Sequence, residues 1–96
     1  MVVNVRLFGM LRILANQRLV AFELDSCATL GDVLAELGRR FGGEFVNRIF
    51  RVPGEMHSYC QVFVNETQVS DINLELKTNG APAEVGIILL MASEGG

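Results

Sequence analysis

Hydrophobic and polar positions alternate from the first residue. Val3, Val5 and Leu7 fall on one side, Asn4 and Arg6 on the other. A period of two predicts a half-buried strand over Met1 to Phe8. The alternation returns over Arg18 to Leu24, where Val20, Phe22 and Leu24 oppose Leu19, Ala21 and Glu23. Two such runs joined by a short link predict a hairpin. The link, Gly9 to Gln17, reads as a connection anchored by Leu11 and Leu14. The period then changes. Leu30, Val33, Leu34, Leu37 and Phe41 make one apolar stripe at helical spacing, with Asp32, Glu36, Arg39 and Arg40 outside it. Thr29 can cap this helix, with Asp32 as the reciprocal partner. Gly42 and Gly43 are expected to end it with a left-handed cap. Gly38, inside the helix, suggests close approach to a strand.

Phe45, Val46, Ile49 and Phe50 suggest a further short helical stretch, and Val52-Pro53-Gly54 a break in the chain. Tyr59 to Val64 alternates as a third strand, and Asn65-Glu66 turns it into Thr67 to Val69. Over Ser70 to Thr78, Leu74 and Leu76 fit either an extended segment or a helical turn. Val85 to Met91 is an almost unbroken apolar run, as in a central strand covered on both faces. The order strand, strand, helix, strand, short strand, strand predicts an α+β fold. Its mixed sheet has four to five strands, the first and last adjacent at its centre, and one main helix packed on one face. This is the β-grasp arrangement of ubiquitin-like proteins. The domain is expected to occupy residues 1–91, with a flexible tail over 92–96.

One helix covers only one face of such a sheet. The last strand carries two apolar sets, Val85, Ile87, Leu89 and Met91 against Ile88 and Leu90. One set is therefore expected to be exposed, unless Phe45 to Phe50 folds over it. Exposed apolar patches mark partner sites. Periodicity does not choose the set, so Phe8, Ile87, Ile88, Leu89 and Leu90 are together the candidate docking residues. Val2 extends them along the first strand.

Composition narrows the function. A chain of 96 residues, half hydrophobic and one fifth charged, makes one folded domain rather than a disordered segment. Net charge is -3, and seven of the eight basic residues are scattered arginines, with Lys77 the single lysine. Nucleic-acid binding needs a basic patch, so none is expected. No apolar run approaches the roughly 20 residues of a membrane helix, and Asn4, Arg6 and Gly9 interrupt any signal-peptide core. A cytoplasmic chain with two ordinary buried thiols, Cys27 and Cys60, is expected.

The familiar catalytic sets are missing. His57 is the only histidine and reads as a solvated or packing residue. Cys60 alternates with Val62 and Val64, so it reads as core and not as a nucleophile. There is no phosphate-binding glycine loop and no metal site, and no bound cofactor is expected. The sequence closes on Ala92-Ser93-Glu94-Gly95-Gly96. A Gly-Gly pair can thread a channel too narrow for any side chain. A carboxylate on Gly96 would be a poor electrophile until a partner enzyme activates it, for instance as an acyl-adenylate made with ATP.

Four segments carry a family resemblance. Val5-Arg6-Leu7-Phe8-Gly9-Met10-Leu11-Arg12 resembles the opening strand and LR turn of the MoaD/ThiS sulfur-carrier proteins. Ala28-Thr29-Leu30-Gly31-Asp32-Val33-Leu34 is similar to their helix start, Val62-Phe63-Val64-Asn65-Glu66 to their strand and turn, and Gly95-Gly96 to their terminal pair. Pro53-Gly54-Glu55-Met56-His57 resembles the longer loop of the cysteine-synthesis carriers and archaeal modifiers. Asn65-Glu66 lacks the glycine many members have, and Ala92-Ser93-Glu94 replaces a proline-containing approach.

The resemblance implies a carrier or co-substrate, not an enzyme by itself. It could be the small subunit of a sulfur-transferring synthase such as molybdopterin synthase. An ATP-dependent, ubiquitin-activating-type enzyme would adenylate Gly96, and a persulfide donor would convert it to a thiocarboxylate. Gly95 would keep the tail slim, and Glu94 would place a charge two residues from the reactive end. A sulfur-accepting synthase subunit would take the sulfur toward molybdopterin, thiamine or cysteine. The alternatives are a ubiquitin-like modifier joined through Gly96 to target lysines, and an inert β-grasp interaction domain. The single Lys77 leaves one internal side chain for modifier chains, which mildly favours the carrier.

Overall fold

The computed structural model describes residues 1–90. Its elements run β1 (Val2–Leu7), α1 (Gly9–Ala15), β2 (Leu19–Glu23), α2 (Leu30–Phe41) and α3 (Gly43–Ile49). Then come β3 (Phe50–Val52), β4 (Glu55–Met56), β5 (Cys60–Val64), β6 (Thr67–Val69) and β7 (Ala83–Leu89). Five strands form one sheet in the order β2-β1-β7-β5-β6, with β1 and β7 parallel and the other pairs antiparallel. The expected α+β fold is therefore present, with the first and last strands side by side.

The inward residues of each strand meet the helices in one core. Val3, Val5, Leu7, Val62, Val85 and Ile87 join Leu30, Val33, Leu34 and Leu37 of α2 there. Helix α2 starts with the complete capping box. The Thr29 side chain accepts from the Asp32 N–H, and Asp32 accepts from the Thr29 N–H at 2.9 Å. Such a cap contributes about 1 kcal/mol.

Three expectations are corrected and two are resolved. Gly9 to Gln17 is not a bare connection but contains α1, which buries Leu11 and Ala15 one turn apart. Its signal was weak because Phe8 provides no capping side chain and only seven residues are helical. Gly42 does not close α2 in a left-handed cap. It has φ 90° and ψ -176°, which an L side chain resists, and α3 starts at once on Gly43. Gly38 approaches a helix, not a strand: a Cβ there would lie 2.7 Å from Val46 Cγ2 of α3. The expected break at Pro53-Gly54 is the turn of a small β3–β4 hairpin, in which Val52 pairs with Glu55. Leu74 and Leu76 belong to an extended segment that seals the start of α2. The Leu74 carbonyl accepts from Leu30 N–H, and Leu76 N–H donates to the Ala28 carbonyl.

The β5–β6 turn explains one departure from the family pattern. Asn65 and Glu66 both have positive φ, 49° and 74°. Asn65 is tied to β7, since its N–H donates to the Glu84 carbonyl and its Oδ1 accepts from the Glu84 N–H. Glu66 has no such compensation from its side chain among the described residues. A non-glycine residue in this region costs about 1–2 kcal/mol, part of which glycine's looser unfolded chain takes back. Glu66→Gly is therefore expected to stabilise the domain by about 0.5–1 kcal/mol, read as a higher melting temperature. An unchanged or lower value would contradict this account of the turn.

Candidate functional site

Pleating sends alternate residues to the side of the sheet without helices. Across the strands, Leu19, Arg6, Gly86 and Phe63 stand in register in one row, and Asn4 and Glu84 in the next. Asn4 donates to Glu84 at 3.0 Å and makes that second row polar. Around Gly86 the surface is apolar. Phe8 follows β1 and lays its ring beside Gly86, its Cε2 3.7 Å from where a Cβ would stand. Phe63 and Ile88 complete a shallow hollow whose rim carries Arg6, Glu66 and Glu84. Phe8 is 45% and Leu90 49% exposed, large values for apolar side chains. Leu90 donates its N–H to the Tyr59 carbonyl at 2.7 Å, at the edge of this surface.

The candidate docking residues thus divide. Phe8, Ile88 and Leu90 lie toward solvent, Ile88 only partly. Ile87 and Leu89 do not: they are 0% and 9% exposed and packed in the core, so neither can present a side chain to a partner. The expectation of a last strand covered on both faces is corrected accordingly. Helix α3 does not close the open face, because Phe45 and Ile49 are buried in the core and the Phe45 ring packs on Phe41 at 5.2 Å. Val2 shares the outer side but stands beyond Asn4 and Arg6 from Phe8. Sequence reasoning missed Phe63, Leu19 and Arg6. The alternation of Gln61 and Phe63 against Val62 and Val64 already carried the signal for Phe63. Gly96, Gly95 and Glu94, and Met91 with them, lie outside the described residues.

The remaining polar groups do structural work. His57 stacks on Tyr59 with ring centres 4.5 Å apart, and its Nε2 lies 3.0 Å from the Asn47 carbonyl. It is a packing residue, as its sequence context suggests. Cys27 is exposed and not buried as expected, because it stands in the turn after β2. Cys60 is buried, and burial pushes its thiol up from 9.0 to about 11. It stays protonated at neutral pH, which suits core packing and not nucleophilic attack. On Glu36, hydrogen bonds from Arg39 and Arg40 lower the carboxyl from 4.5 to about 2. No cluster of potential metal ligands occurs among the described residues. No described helix is long and apolar enough to cross a membrane.

The Cys60 shift gives a pH test. Its folded value lies above its unfolded value, so its contribution is intact below pH 9 and is lost as pH rises through about 11. The wild type should lose more stability over that window than Cys60→Ala, measured by denaturant titration. Parallel losses would show that the thiol is not desolvated.

A mixed five-stranded sheet wrapped on one side around a capped helix, with the other side partly open, defines a ubiquitin-like β-grasp protein. Solved structures agree. The chain is similar to SAMP1 from Haloferax volcanii, at 22% identity over 97% of this chain and 99% of that one, TM-score 0.77. It is similar to a putative molybdopterin converting factor, subunit 1, from Pyrococcus furiosus, at 25% identity over 93% and 97%, TM-score 0.73. CysO from Mycobacterium tuberculosis matches at 24% identity over 91% and 97%, TM-score 0.70. No protein-family model and no curated protein sequence matches the chain. The resemblance to MoaD-type carriers read from the sequence thus has its counterpart among these structural neighbours.

Proposed function

We propose that the chain is a sulfur carrier whose Gly96, as the last residue of the mature protein, is adenylated by a partner and converted to a thiocarboxylate. The observation that carries this reading is the position of Gly95-Gly96, a few residues beyond the end of β7, in a β-grasp domain with an open apolar face. Activation joins the carboxylate to AMP with release of pyrophosphate. The outer sulfur of a persulfide donor then displaces AMP, and a thiol cleaves the resulting acyl disulfide, releasing the thiocarboxylate and leaving the donor as a disulfide. The domain contributes recognition, and the partner supplies ATP chemistry. The face around Gly86, with Phe8, Phe63, Ile88 and Leu90, is the docking surface in this reading, for the adenylating enzyme first and the sulfur-accepting synthase subunit afterwards. The reaction belongs in the cytoplasm, and the product is molybdopterin or a cysteine- or thiamine-type compound.

A second reading is favoured by the likeness to SAMP1, a small archaeal modifier protein. There the same activated Gly96 is attacked by a lysine amine of a target. ATP–pyrophosphate exchange with a ubiquitin-activating-type enzyme tests the shared step. Exchange that depends on the chain supports both readings, and its absence leaves an inert interaction domain. Conjugates of higher mass formed after activation would select the modifier.

A further inference from the structure

The positive charges are unevenly used. Arg39 and Arg40 pair with Glu36, Arg48 with Glu44, Arg51 with Glu55 and Lys77 with Glu75. Arg6, Arg12 and Arg18 are exposed and pair with no carboxylate among the described residues. All three belong to one end of the molecule. Arg6 stands opposite Leu19 in the β1–β2 ladder, and the Arg18 carbonyl accepts from Leu7 N–H at 2.9 Å. Helix α1 spans the gap between these strands, and Arg12 and Arg18 line the same surface depression beside Ile13. Because β1 and β7 are parallel, Leu90 emerges at this same end.

The apolar groups there are also open. Ile13 is 69% exposed, more than any other large hydrophobic among the described residues, and Phe8 and Met10 are 45% and 39% exposed. Arginine mixed with aromatic and methionine side chains is the composition of protein interfaces. The guanidinium fork matches a carboxylate in two hydrogen bonds, and uncompensated surface charge acts on encounter rate and orientation.

Resting on the activation step above, we propose that this end recognises the adenylating partner through an acidic surface on that partner. Its carboxylates pair with Arg6, Arg12 and Arg18, and Ile13 and Phe8 seat against its apolar side chains. A second copy is disfavoured, since a two-fold contact would set these like charges against themselves. Three cations on a chain of net charge -3 also make a poor nucleic-acid surface.

The test is ATP–pyrophosphate exchange by a ubiquitin-activating-type enzyme, with full-length chain as variable substrate, over a salt series. Arg12→Glu/Arg18→Glu is expected to raise KM for the chain about tenfold at low salt, with kcat unchanged. Wild-type KM should climb with salt and that of the reversed variant should not. Arg12→Lys/Arg18→Lys should fall between them. Single Arg18→Glu lies outside any helix or strand and should move KM in the same direction. Equal KM values, or a wild-type KM indifferent to salt, would overturn the proposal while leaving the activation step standing. A salt-sensitive wild-type dimer on gel filtration, or capture of labelled single-stranded RNA lost in the variant, would also overturn it. Absence of wild-type exchange would remove both the activation step and this proposal.

Discussion

Deleting Gly96, or making Gly95→Trp, is expected to abolish activation while leaving the melting temperature unchanged. The described residues from Val3 to Leu89 already form one connected hydrophobic core, and Gly95 and Gly96 carry no side chain to add to it, so folding is not expected to depend on them. Activation instead needs the terminal carboxylate to reach the α-phosphate of ATP inside another protein. A glycine is the narrowest residue that can be threaded there, and its missing Cβ lets backbone approach closely. A tryptophan would obstruct that path. Exchange assays and thermal melts on the same samples check both halves. Retained exchange in the shortened chain would remove Gly96 from the mechanism. A large fall in melting temperature would show that the segment is part of the fold.

Two neighbouring isoleucines of β7 should give opposite phenotypes. Ile87 is fully buried in the core, so Ile87→Glu places an unpaired charge there and should cost about 4 kcal/mol or more. Against a typical total of about 5–15 kcal/mol, that removes from about a quarter to most of the stability, read as a large fall in melting temperature. Ile88 lines the outer hollow with Phe8 and Phe63 and is only partly covered. Ile88→Glu should fold, with affinity for the activating partner reduced about tenfold or more, the loss for an interface anchor. Circular dichroism and a binding titration suffice. Unfolding of both variants would mean that the outer face is covered in solution. Normal binding by folded Ile88→Glu would mean that docking occurs elsewhere.

Much of this architecture is legible in the pattern of side chains. The strict alternation of Val3, Val5 and Leu7, and the Thr29–Asp32 box ahead of Leu30 to Leu37, name their elements because burial and capping act locally. What failed to show was set by tertiary contact. Helix α1 has no cap signal and is held by burying Leu11 and Ala15. The function of Gly38 depended on where α3 would pack, which its own sequence does not encode. The two apolar sets of β7 look alike in sequence, and only the side of the sheet on which the helices pack decides that Ile87 goes in and Ile88 does not. For the candidate site, Phe8 stood out as a large apolar residue at a strand end. Arg6 and Phe63 did not, because their significance comes from the register that brings them to either side of Gly86. The chemistry assigned to Gly95-Gly96 is carried by the sequence.

Sulfur on Gly96 is the central claim, and the intact mass of the purified chain tests it most directly. The protein is incubated with a ubiquitin-activating-type enzyme, ATP, a persulfide donor and a thiol reductant, then weighed whole and after fragmentation. A gain equal to one sulfur minus one oxygen is expected, confined to the C-terminal fragment ending in Gly96 and absent without ATP. An unchanged mass despite confirmed adenylation, or sulfur found on Cys27 or Cys60 instead, would contradict it.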